Sequence, residues 1–110
     1  MGTVELGVIR GGAAARTERV DVEEWDATVT IRAVTRAEYR DIMGRISEEG
    51  YDADLETVAT CWVEPDLGDE TRELLAAQPA GIIGRLARAV VRLSGVAEAG
   101  FRGRPEPDDG

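Results

Sequence analysis

Cys61 is the single thiol of this 110-residue chain, and no histidine is present to activate it. A triad built on histidine is therefore excluded. Cys61 lies between Thr60 and Trp62 on an apolar segment. A buried structural thiol fits that setting, because free cysteine is among the most buried residue types. One cysteine allows no internal disulfide and suits a reducing cytosol. Asp52-Ala53-Asp54-Leu55-Glu56 opens like a calcium loop, but Thr57 stands where the turn needs glycine and Val63 where the bidentate glutamate belongs. Asp54 is better explained as a helix cap. Asp66, Asp69 and Glu70 form an acidic turn of the kind that a helix N-terminus attracts without any ligand. Gly81 and Gly84 have neither a lysine nor a preceding strand, so no phosphate loop is present. A glycosidase-like carboxylate pair needs a sugar-binding surface, and aromatic residues make up only 5% of the chain. The expectation is a non-enzymatic protein with no metal and no cofactor.

The remaining constellation is basic. Arg85, Arg88 and Arg92 fall at i, i+3 and i+7 and share one helix face. They make either a docking ridge for an acidic or helical partner, or a solvated face that pairs with nearby acids. The ridge is local, since 22 acidic residues against 13 basic give a net charge of -9. Such a field repels phosphate and anionic lipid, which argues against nucleic acid and membrane surfaces as partners. Every basic residue is arginine. No apolar run approaches the roughly 20 residues of a membrane span, and the first sixteen residues lack a signal-peptide pattern. A soluble, cytoplasmic protein is expected.

The elements that position these residues follow from periodicity. Residues 1–16, with a short Val4, Leu6, Val8 alternation and then Gly11-Gly12-Ala13-Ala14-Ala15, suggest a flexible N-terminal arm. Val20 and Val22, then Val29 and Ile31, alternate with polar residues and predict a β-hairpin over 17–34, joined through Trp25. Thr35 and Glu38 form a capping box ahead of a helix whose stripe is Tyr39, Ile42, Met43 and Ile46, with Gly50 as its stop. A second helix is expected from Asp54 to Val63, although Thr57–Val63 also suits a strand. Pro65 ends it. A short helix from about Asp69 to Ala77 should bury Leu74 and Leu75. A last helix begins near Pro79, carries Ile82, Ile83, Leu86, Val90 and Leu93 on one face, and closes at Gly95. The fold class is α+β: a small N-terminal β-hairpin packed with about four helices. A single domain spans 17–96, followed by a disordered acidic tail over 97–110.

The order of these features resembles the tail assembly chaperones of long-tailed phages and of related prophage and contractile-particle clusters. The resemblance rests on Arg19-Val20-Asp21-Val22-Glu23-Glu24-Trp25-Asp26 and on Thr28-Val29-Thr30-Ile31-Arg32-Ala33-Val34-Thr35. It extends to a helix ending in Val63-Glu64-Pro65-Asp66-Leu67 and to the closing Leu93-Ser94-Gly95. The resemblance covers about 17–96 and implies a role rather than a reaction. Members bind the tape measure protein, keep it soluble, help recruit tail tube subunits and leave before the particle is finished. Many are also made in a longer, frameshifted form. No catalytic residues are carried over.

An amphipathic helical domain suits such a role. Leu74, Leu75, Ile82, Ile83, Leu86 and Val90 either partly line a groove for a helical partner or form the core. Self-association is a further partner reading. The alternatives to a chaperone are a small adaptor or regulatory module, and a structural tail completion or connector protein.

Overall fold

The computed structural model describes residues 16–95, together with Gly12. The expected arm with its Val4–Val8 strand, apart from Gly12 and Arg16, and the expected 97–110 tail lie outside the described residues. The fold is α+β, as the periodicities predict. The chain order is β1 (Thr17–Val22), a 3-10 turn (Glu23–Trp25), β2 (Ala27–Arg32), α1 (Arg36–Gly44), α2 (Ala53–Cys61), β3 (Trp62–Glu64), a second 3-10 turn (Gly68–Glu70), α3 (Thr71–Ala76) and α4 (Ala80–Ser94).

The sheet has three antiparallel strands in the order β1-β2-β3. The register sets Val20 opposite Val29 and Val22 opposite Ala27. One face of β1 and β2 therefore carries Val20, Val22, Val29 and Ile31, and the last three of these are buried. β3 pairs Trp62 with Ile31 and Glu64 with Thr30, which turns the expected hairpin into a three-stranded sheet. Residues 57–63 thus divide between the two readings. The helix holds to Cys61, and the strand begins at Trp62, where central β2 offers unpaired backbone groups.

The capping box is as expected. Thr35 Oγ1 accepts from the Glu38 amide at 3.0 Å, and Glu38 Oε1 accepts from the Thr35 amide at 2.9 Å. The helix it starts is shorter than its apolar stripe suggests. α1 ends at Gly44 rather than near Gly50; Ile42 is buried, Tyr39 and Met43 are half-buried, and Ile46 is 43% exposed. The cap of α2 is Asp52 rather than Asp54, with the Asp52 carboxylate accepting from the Leu55 amide at 3.1 Å. α3 is a two-step element, a 3-10 turn followed by six helical residues. α4 ends where expected, on Gly95 at φ 80°, a left-handed position that glycine takes without the Cβ clash.

Two adjoining clusters make one core between the sheet and the helices. Val22, Val29, Val58, Leu75, Ile82, Ile83 and Leu86 form one, and Ile31, Val34, Ile42, Cys61 and Val90 the other. Polar ties fix the helices to the sheet. The Arg32 guanidinium donates to both Glu38 carboxylate oxygens at 3.0 and 2.9 Å, and to the carbonyls of Ala33 and Thr60. One side chain thereby joins β2, the start of α1 and the end of α2. At the far end of α4, Ser94 Oγ accepts from the Val34 amide at 2.8 Å and donates to the Val90 carbonyl. No buried side-chain polar atom lacks a partner among the described residues.

A candidate partner-binding cleft

The apolar side chains proposed to line a groove mostly do not reach the surface. Leu75, Ile82, Ile83, Leu86 and Val90 are 0–6% exposed and belong to the core. The reason is geometric. α4 lies against the inward face of the sheet and against α2, so its apolar stripe is consumed by the domain itself. Leu74 is the exception, at 41% exposed, and corrects the expectation that both leucines of α3 are buried. Neighbours on a helix point about 100° apart, and a helix of six residues with one supporting face can bury only one of them.

The arginine ridge is also partly consumed. Arg85 donates to both carboxylate oxygens of Glu24, at 2.6 and 3.2 Å, closing a link between α4 and the hairpin turn. That pairing holds the Glu24 carboxyl below its ordinary range. Arg88 faces the start of α2, near Asp54. Burial raises the Asp54 carboxyl, Asp52 adds to this, and Arg88 opposes it. Arg92 is exposed in the last turn of α4, where a cation complements the helix dipole. The three share a helix, but solvated pairing accounts for Arg85.

The structure also leaves open a cleft of about 290 Å³, lined by Trp25, Val29, Trp62, Pro65, Leu67, Leu74, Leu75 and Gln78. Both tryptophans of the chain meet there, edge to face with ring centroids 6.2 Å apart. Val29 and Leu75 are buried in its floor, and Leu74 stands exposed on its wall. Three elements place these residues. The 3-10 turn after β1 brings Trp25 over the sheet edge, β3 presents Trp62, and the turn through the cis Glu64–Pro65 peptide carries Pro65 and Leu67 around.

The polar atoms of the cleft are already engaged. Trp25 Nε1 donates to Gln78 Oε1 at 3.0 Å, and Gln78 Nε2 donates to the Leu74 carbonyl at 3.1 Å. Trp62 Nε1 donates to the Pro65 carbonyl at 2.6 Å. These bonds brace the walls, occupy the Trp25, Trp62 and Gln78 side-chain polar atoms and leave a mostly apolar surface. A small-molecule site ordinarily joins a pocket of about 300–1,000 Å³ to a few convergent polar groups. This cleft falls just below that range and lacks that set, so it suits an apolar side chain of another polypeptide.

Chemistry elsewhere is sparse. Cys61 is fully buried, and burial pushes its thiol up to about 11, the reverse of what a nucleophile needs. Among the described residues, no three acids or cysteines are gathered closely enough to hold a metal ion. No single described helix is long and apolar enough to cross a membrane.

Sequence reading missed the cleft because it is assembled from segments far apart in the chain. One signal pointed to it. In a chain so poor in aromatics, both tryptophans adjoin β-type residues, and tryptophan is enriched where proteins meet. The Val63–Leu67 motif needs correction as well. The helix stops at Cys61, and the motif lies on a strand and the turn after it. No family model, curated protein or solved structure matches the chain.

Proposed function

We propose that this protein is a non-enzymatic tail assembly chaperone, which binds a long helical tape measure protein in the cytoplasm and helps recruit tail tube subunits. The observation that carries the reading is the open apolar cleft walled by Trp25, Trp62 and Leu74, with its polar atoms already satisfied. The resemblance of 17–96 to that family supports it. A long helical protein without its final partners exposes an apolar stripe that aggregates. Seating one leucine-sized side chain in a cleft removes about 1.5–3 kcal/mol of exposure cost. Many copies along one filament add such modest contacts together. The chaperone is released once tube subunits replace it.

Co-expression with a tape measure protein, sought as a long helical protein encoded beside it, is the test. The wild-type chain should move that partner from the pellet to the supernatant, and finished tails should lack the chain. Its presence as a stoichiometric component of finished tails would refute the reading.

A further inference from the structure

The chain segments that line the cleft are acidic in a way the apolar lining does not require. Residues 62–78 hold Glu64, Asp66, Asp69, Glu70 and Glu73 against one cation, Arg72. Arg72 donates through one edge of its guanidinium, Nε and Nη2, to both carboxylate oxygens of Glu56 of α2, so its charge is paired there. No ion pair among the described residues holds any of those five acids. The acids also adjoin the lining residues in the chain. Glu64 and Asp66 flank Pro65, Asp66 precedes Leu67, Glu73 precedes Leu74, and Glu24 and Asp26 flank Trp25. Of these last two, Glu24 is neutralised by Arg85.

An apolar socket whose lining segments carry carboxylates outside any ion pair selects its occupant. We infer that the cleft takes a helical segment of a partner protein in which a large apolar residue is flanked by arginines or lysines. The inference rests on the proposed chaperone reading and specifies the partner's chemistry. The apolar anchor fills the space between Trp25, Trp62 and Leu74, and the flanking cations meet Glu64, Asp66 and Glu73. An added strand is disfavoured. β3 offers a three-residue open edge, and Pro65 just beyond it has no amide hydrogen to extend a ladder. A second copy of this chain is disfavoured too, because at net charge -9 an acidic rim meets an acidic molecule. Rim charge of this kind sets partner choice and capture rate more than final affinity.

The test uses two synthetic amphipathic helical peptides with the same leucine stripe, one flanked by lysines and the other by glutamates. Both tryptophans line the cleft, so emission of the intact chain reports binding directly. The lysine peptide should shift the emission and bind at least about tenfold more tightly than the glutamate peptide, with the gap closing as salt is raised. Leu74→Gln, at an exposed position, should weaken the lysine peptide roughly tenfold. The pair Glu64→Gln and Glu73→Gln should shrink the difference between the peptides while the fold, read by circular dichroism, stays unchanged. Equal binding of both peptides, or no emission change with either, overturns the inference. So does concentration-dependent self-association that Leu74→Gln abolishes, since the occupant is then a second copy. The two claims fail separately. If the chain solubilises its long neighbour but ignores peptide charge, the inference falls and the chaperone reading stands. If the lysine peptide binds but the neighbour stays in the pellet, the reverse holds.

Discussion

Leu74 and Leu75 are adjacent, identical in chemistry and part of the same short helix, yet one is 41% exposed and the other 2%. Leu75 belongs to the closed core cluster, with Ile82, Ile83 and Leu86 on α4, Val58 on α2 and Val22 and Val29 on the sheet, and meets the cleft only as part of its floor. Around Leu74 the structure is open, with Trp25, Trp62, Pro65 and Leu67 lining walls that nothing caps. Helical spacing alone names both as interior. What separates them is whether a second layer arrives. α4 has fifteen residues and covers the core, whereas α3 has six and leaves its other side bare. The closed region is built for stability, and the open one is the surface proposed above for partner contact.

The largest effect expected from the closed side is Leu86→Ala. Leu86 is fully buried in the cluster, so the lost transfer energy and the cavity left behind should cost about 2–5 kcal/mol. A urea melt measures it. The partner affinity of the molecules that remain folded should be unchanged, which separates the two regions.

Next is the joint that holds the closed region together. Glu38 closes the cap of α1 and binds the Arg32 guanidinium at two points. Glu38→Ala should cost about 1–3 kcal/mol in the same melt. The Arg32 hydrogen bonds lower the Glu38 carboxyl below its ordinary 4.5. A carboxyl with a depressed folded value contributes its stability above the unfolded value and loses it as pH falls through the folded one. Wild-type stability should therefore decline below about pH 4.5, and in Glu38→Ala this part of the decline should be absent. Melts between pH 7 and pH 3 show whether it is.

On the open side the signs reverse. Leu74→Gln should leave the urea midpoint within about 0.5 kcal/mol of wild type, because the side chain is exposed. It should nonetheless weaken partner binding. A Leu74 variant as unstable as Leu86→Ala would mean that the cleft wall is core.

The smallest effect belongs to the arginine ridge. Arg85→Ala breaks an exposed pair with Glu24; stability should stay within error of wild type, and partner binding should not weaken, since a carboxylate beside Trp25 is freed. Partner binding that falls instead would return the ridge to the docking surface.

How much was legible in the sequence follows the same division. Signals contained within a few residues held. The Thr35–Glu38 box, the Gly95 stop and the alternation of Val20, Val22, Val29 and Ile31 each fix their geometry locally. Signals that depend on distant chain did not. Trp62–Glu64 becomes a strand because Thr30 and Ile31 wait beside it, although the helical spacing of Leu55, Val58 and Ala59 runs straight into Trp62. Ile46 continues the stripe of α1 in sequence, but the helix has already ended. The expected docking residues Ile82, Ile83, Leu86 and Val90 were recognised as one apolar face, and their burial was decided by where the sheet lies. The cleft needs Trp25, Trp62 and Leu74 together, and no local pattern joins them.

Hydrogen exchange of the intact protein, with and without the long helical partner, tests the account most directly. New protection is predicted at the amides of β3, the 65–70 turn and α3, with the exposed arginine face of α4 unchanged. Protection confined to that arginine face, with the Trp25–Trp62–Leu74 cleft still exchanging freely, would contradict it.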